Sequence, residues 1–286
     1  MKLTESPGVN ILNRMFWLIL NLLFGGFTAL ILLIWVSCDM EMPTFFFPLL
    51  TSSPFLQSIF HLRWLDLHLT LFHQILFNAC LFGLFGFVHT FFARDDVQHY
   101  FTTKFLFPSF GLRTFYLILT NISAWIVMGF WQHTSIQLWD FLSNPVYEIE
   151  YRKHKILLTL FSIINLPGML VIKQFSMLQF FGIKQIFQSS SCLMNFRTTG
   201  MNKLVTDGMF HYCRHPMYLF LLVGYILSPC VSLDKFLFVI YTIGYLYIAI
   251  PIEEKKLEVT FGPAYIAYKK CVPAVLPRFE KKNKLV

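Results

Sequence analysis

The chain has 286 residues, 56% of them hydrophobic and only 13% charged, with thirty-four Phe. A soluble globular chain carries about 25% charged residues, so this composition excludes a soluble domain and defines an integral membrane protein. The formal net charge of +8 is mostly a topology signal, because the basic residues lie near membrane edges. No nucleic-acid partner is expected from it.

In chain order, six segments are long enough to cross a hydrocarbon core of ~30 Å as helices. They are approximately 15–36, 69–92, 112–131, 156–173, 216–232 and 235–252. The first is too long for a signal-peptide core and lacks a small-residue cleavage site, so it is expected to be a retained span. Between the first two spans, Pro43, Pro48 and Pro54 interrupt an apolar stretch. Three missing donors make it an interfacial or re-entrant loop. Asn121-Ile122-Ser123 matches a glycosylation sequon, but it falls inside the third span and is discarded.

Segment 174–190 alternates apolar residues with Gln and Lys at helical spacing, which predicts an amphipathic helix on the cytosolic face. A polar, Ser-rich connector follows. The fifth span is short and ends near Pro229, so the last two spans are predicted to form a hairpin turned at Ser232-Leu233-Asp234. Most of the 23 Lys and Arg fall in the tails and the even-numbered loops, which places both termini in the cytosol. The expected architecture is an all-α, six-span, single membrane domain over residues 1–286.

The six cysteines form no CxxC pair and suggest neither a disulfide framework nor a zinc site. His211 and His215 have the spacing of two metal ligands on a helix face. No third ligand accompanies them, and no metal is expected.

Polar chemistry concentrates at two points flanking the last hairpin. Arg214-His215-Pro216-Met217-Tyr218 opens the fifth span, and Glu253-Glu254 closes the sixth. The hairpin brings the two clusters side by side at one membrane face, where ionisable groups are costly unless paired or facing a cavity. Pro216 suits a first helical turn. Arg214 suits a carboxylate, a Glu suits ribose hydroxyls or an ammonium, and Tyr218, Tyr265 and Tyr268 offer aromatic faces to a purine or a sulfonium. S-adenosylmethionine combines all of these groups. Each feature also has a plainer account. Arg214 would anchor a helix end, the Glu pair would form interfacial ion pairs, and the two tyrosines would belong to an aromatic belt.

The run Gly208-Met209-Phe210-His211-Tyr212-Cys213-Arg214-His215-Pro216-Met217-Tyr218 is followed by the Glu pair, Phe261-Gly262-Pro263-Ala264-Tyr265-Ile266-Ala267-Tyr268, and Val272-Pro273-Ala274-Val275-Leu276-Pro277. Over about residues 205–278 this resembles isoprenylcysteine carboxyl methyltransferases and bacterial and fungal phospholipid methyltransferases. Phe87-Val88-His89-Thr90, Gly111-Leu112-Arg113-Thr114-Phe115-Tyr116 and Phe181-Gly182-Ile183-Lys184-Gln185-Ile186 extend the resemblance to the nurim and methanethiol S-methyltransferase group.

The resemblance implies methyl transfer from S-adenosylmethionine at the cytosolic face to a lipophilic or small thiol-type acceptor, with membrane lipid as the surroundings. It implies that His215, Pro216, Tyr218, Glu253, Glu254, Tyr265 and Tyr268 hold the cofactor. Arg214 and Glu254 would act in catalysis, with His89 and Arg113 on the acceptor side. Where thiol methyltransferases carry acidic and histidine residues, this chain has Ser176, Met177 and Gln179. That departure keeps a second expectation open, a nurim-like protein of the nuclear inner membrane or endoplasmic reticulum without turnover. The sequence carries no signature of oligomeric state.

Overall fold

The computed structural model describes residues 7–40, 63–105, 108–142, 150–173, 183–187 and 204–277. Helix α1 (Pro7–Leu20) passes through a π-helical turn (Asn21–Gly26) into α2 (Phe27–Ser37). Then come α3 (Leu71–Phe92), α4 (Asp95–Lys104), α5 (Leu112–Phe130), strand β1 (Gln137–Asp140) and α6 (Glu150–Lys173). The short α7 (Ile183–Phe187) is followed by α8 (Pro216–Ile226), β2 (Cys230–Ser232), α9 (Leu233–Phe261) and α10 (Pro263–Cys271).

The protein is a mostly helical membrane protein. Among the described residues, α3, α5 and α9 are long and apolar enough to cross a bilayer, while Ile11–Leu23 and Pro216–Ile226 are shorter apolar helices. At 1.5 Å per residue, the 29 residues of α9 extend about 43 Å. That exceeds a ~30 Å hydrocarbon core, and its charged residues lie at its two ends, Asp234 and Lys235 in the first turn and Glu253, Glu254, Lys255, Lys256 and Glu258 in the last turns.

The sequence expectations meet three corrections here. The predicted fifth span, 216–232, is an eleven-residue helix ending at Ile226, about 16 Å long. Ser228-Pro229 stops it, because proline lacks a donor and the residue before it disfavours helical backbone. The chain then enters β2, which pairs antiparallel with β1, so a two-stranded sheet joins an architecture expected to be all-α. The connection to α9 runs over residues 227–232 and not Ser232-Leu233-Asp234, and the Ser232 hydroxyl accepts from the Lys235 backbone N–H at 3.2 Å to cap α9. Of the amphipathic segment 174–190, only α7 is described. The rest of it, Ser176, Met177 and Gln179 included, lies outside the described residues, as does the proline-rich loop 43–60.

The main core is aromatic. Trp35, Phe82, Trp131, Tyr225 and Phe238 pack together from α2, α3, the end of α5, α8 and α9, and Trp35 meets Trp131 edge-on at 6.1 Å. Polar side chains lock helices around it. Asn21 Nδ2 donates to Thr114 Oγ1 at 3.0 Å, and Trp125 Nε1 donates to Thr28 Oγ1 at 3.0 Å. Gly86 lets α3 approach α9, since a Cβ there would lie 2.7 Å from the Tyr245 ring. Helices α3 and α9 therefore run side by side along the molecule.

Candidate functional site

The site is built where α8 begins and α9 ends. Gly262 separates α9 from α10 with φ +56, a conformation that a side chain disfavours. The turn folds α10 back beneath α9, and Tyr265 and Tyr268 pack with Leu257 and Val272 in a buried cluster. The Tyr268 hydroxyl donates to the Phe210 carbonyl at 2.6 Å. Residues 273 and 274 then reach the start of α8. The backbone N–H groups of Arg214 and His215 donate to the carbonyls of Pro273 and Ala274 at 2.9 and 2.8 Å.

Within this frame the predicted polar residues converge. Arg214 Nε donates to Glu254 Oε1 at 2.6 Å, and the same guanidinium donates to the carbonyls of Lys269 (3.0 Å) and Val272. His215 Nε2 lies 3.2 Å from Glu254 Oε1, and Lys269 Nζ lies 3.0 Å from Glu254 Oε2. Glu254 thus meets three nitrogen-bearing side chains while itself only 3% exposed. This saturation is what buried charge requires. The Lys269 ammonium also pairs with Glu258 at 2.9 Å, and Glu258 and Glu254 hold its pKa above the ordinary lysine range.

Glu253, the next residue, has different surroundings. Consecutive helix residues point about 100° apart, and Glu253 faces a cavity of about 1220 Å³ between α3 and α9. It accepts a 3.1 Å hydrogen bond from the Tyr218 hydroxyl, and its carboxylate lies 3.6 Å from His215 Nδ1. The His215 and Tyr218 rings stack at 5.4 Å with planes 9° apart. Tyr218 lines the cavity as well.

His89 and Arg113, expected on the acceptor side, line the same cavity. The Tyr116 hydroxyl lies 2.9 Å from His89 Nδ1, and the Arg113 guanidinium sits 5.1 Å from the centre of the Tyr116 ring. Thr90 Oγ1 lies 3.0 Å from the Tyr245 hydroxyl. The structure therefore brings His89, Arg113, Tyr218 and Glu253 to one cavity. Arg214, His215 and Glu254 form the buried network behind it. Pro216 serves as the first residue of α8. Tyr265 and Tyr268, expected against a cofactor, lie in the core beneath the network and do not line the cavity.

Tyr245 and Lys269 went unread in the sequence, and Thr90 and Tyr116 stood there only as motif members with no role assigned. Tyr116 is one helical turn after Arg113, and Tyr245 lies eight residues, about two turns, before Glu253. Helical spacing from the recognised residues was the available signal.

Comparison with known proteins agrees with the motifs. The chain is 26% identical over 209 residues to a methanethiol S-methyltransferase from Crocosphaera subtropica, covering 73% of this chain and 77% of that protein. It is 26% identical over 206 residues to methanethiol S-methyltransferase 2 from Bradyrhizobium diazoefficiens, covering 71% and 73%. It is 23% identical over 208 residues to a methanethiol S-methyltransferase from Mycobacterium tuberculosis, covering 71% and 78%. No family profile and no solved structure matches. The chain is similar to these methanethiol S-methyltransferases, as the motifs indicated. The named relatives are bacterial, and the expected nuclear or endoplasmic reticulum location finds no support in them.

Proposed function

We propose that this protein is a membrane methyltransferase that uses S-adenosylmethionine to methylate the sulfur of a thiol acceptor. The observation that carries the reading is the single cavity with Glu253 and Tyr218 on one wall and His89, Arg113 and Tyr116 on another. The names of the relatives supply the reaction class.

The cavity's groups fit the proposed donor. The Glu253 carboxylate suits an ammonium or ribose hydroxyls, and Tyr218 offers an aromatic face to a sulfonium or a purine. S-adenosylmethionine supplies a methyl group already activated for transfer. The protein's task is then alignment and exclusion of water.

On the acceptor side, Arg113 stabilises the developing thiolate. His89, fixed by Tyr116, takes the thiol proton. The acceptor's sulfur gains the methyl carbon, and the electron pair of the broken C–S bond stays with the donor's sulfur. Arg214, His215 and Glu254 act from behind, holding the end of α9 so that Glu253 faces the cavity. With the site at the cytosolic face, as the distribution of basic residues suggests, the donor enters from the aqueous side.

Isothermal titration of the detergent-solubilised protein with S-adenosylmethionine tests the reading, with Glu253→Gln as the comparison. Saturable binding is expected. Loss of one charge-assisted contact should weaken it about ten- to hundred-fold in the variant. Folded protein that does not bind the donor would overturn the assignment.

A further inference from the structure

The cavity offers more room than the donor together with a two-heavy-atom acceptor such as methanethiol would fill. Its volume of about 1220 Å³ exceeds the ~300–1,000 Å³ of pockets that enclose one drug-sized ligand, so space remains beyond the donor. It is also long. Its lining on α9 runs from Ile240 to Glu253 and beyond, and those thirteen residues of rise measure about 20 Å.

Its polarity is graded along that length. Polar groups gather at the end holding His89, Arg113 and Glu253, whereas the far end is lined by Ala79, Phe82 and Ile240. The rim residues Phe87, Ile248 and Ile252 are exposed, as side chains facing acyl chains would be. At the polar end, Lys256 Nζ bridges from α9 to Asp95 Oδ1 at 2.6 Å. Two glycines shape the walls. A Cβ on Gly83 of α3 or on Gly244 of α9 would meet nothing within 4 Å. Neither glycine is required for helix packing, unlike Gly86. What they leave open is space within the groove.

We infer that the acceptor is an amphiphilic thiol dissolved in the bilayer, with an apolar tail in the α3–α9 groove and its sulfur between His89 and Glu253. This rests on the methyltransferase reading above and specifies its substrate class. The match is one of chemistry. A polar end able to ionise a thiol continues into a lipid-exposed apolar slot too long for a short thiol to fill. Because lipid is as apolar as the groove, burial alone gives no preference. Selectivity for a tail must come from packing against the groove walls.

The test uses the full chain in phosphatidylcholine proteoliposomes with methyl-labelled S-adenosylmethionine. Methanethiol and dodecanethiol are supplied at equal mole fraction in the membrane. The wild type is expected to methylate dodecanethiol faster by about ten-fold or more, the scale of one well-packed methylene. In a Gly83→Leu/Gly244→Leu variant, new side chains fill the groove, and the dodecanethiol-to-methanethiol ratio should fall about ten-fold. Retained donor binding in the variant shows that it has folded.

Equal rates for the two thiols, a preference for methanethiol, or an unchanged ratio in the variant would overturn the inference while leaving the methyltransferase reading intact. In those cases the groove is a seam filled by ordinary bilayer lipid. Absence of both donor binding and turnover of any thiol would remove both readings.

Discussion

Helix α9 buries charge at both ends, and the two ends do opposite things with it. At its start, Asp234 accepts from Trp131 Nε1 at 3.2 Å and from the Thr134 backbone N–H at 3.1 Å. Its neighbour Lys235 donates to Ser228 Oγ at 2.9 Å and to the Ser37 carbonyl at 3.4 Å. Both residues are almost fully buried, and the cleft beside Lys235 has no water-sized space. At the other end, Glu254 is equally enclosed, but Glu253 faces a large cavity. Buried charge alone therefore marks architecture. A buried network becomes a candidate site when one member opens onto a space that a ligand can occupy.

Substitutions at the two ends can break or sharpen this contrast. Glu254→Ala should have the largest effect. Removing one partner of a buried pair leaves Arg214 uncompensated, at a cost of about 3–5 kcal/mol, visible as early thermal unfolding in detergent. Asp234→Ala should cost about 1–3 kcal/mol by stranding buried donors, while the folded fraction still titrates with S-adenosylmethionine at wild-type affinity. Gly262→Ala, forced to positive φ, should cost about 1–2 kcal/mol, measured by denaturant unfolding. Glu253→Gln should move stability least, within about 0.5 kcal/mol, yet weaken donor binding most among the variants that keep the fold. If Asp234→Ala lost donor binding and Glu253→Gln kept it, the division between the two ends of α9 would be misdrawn.

The sequence made the end of α9 readable because its residues have fixed spacing around a predictable hairpin. Arg214 and Glu254 are forty residues apart and could be paired from topology alone. His89 and Arg113 were legible as ionisable residues at span ends. Their shared cavity depends on helix packing, which periodicity does not specify. Tyr265 and Tyr268 show the converse. Their aromatic character suits a ligand, and nothing in their spacing distinguished that use from the core packing the structure reveals. The β1–β2 pair was invisible for a simpler reason. Strands of four and three residues are too short to express a period. The long apolar groove was also out of reach, because its empty volume depends on Gly83 and Gly244 standing opposite chain segments remote in sequence.

The bonds from Arg214 and His215 to the carbonyls of Pro273 and Ala274 have a consequence for biosynthesis. Chains emerge from the ribosome N-terminus first, so the membrane helices precede the segment that completes this corner. Until residues 272–274 are made, the Arg214 guanidinium lacks one of its two carbonyl acceptors, that of Val272, and the backbone N–H groups of Arg214 and His215 lack theirs. A chain cut short just before Val272 would carry every residue that lines the cavity and still lack the carbonyls that tie down the start of α8.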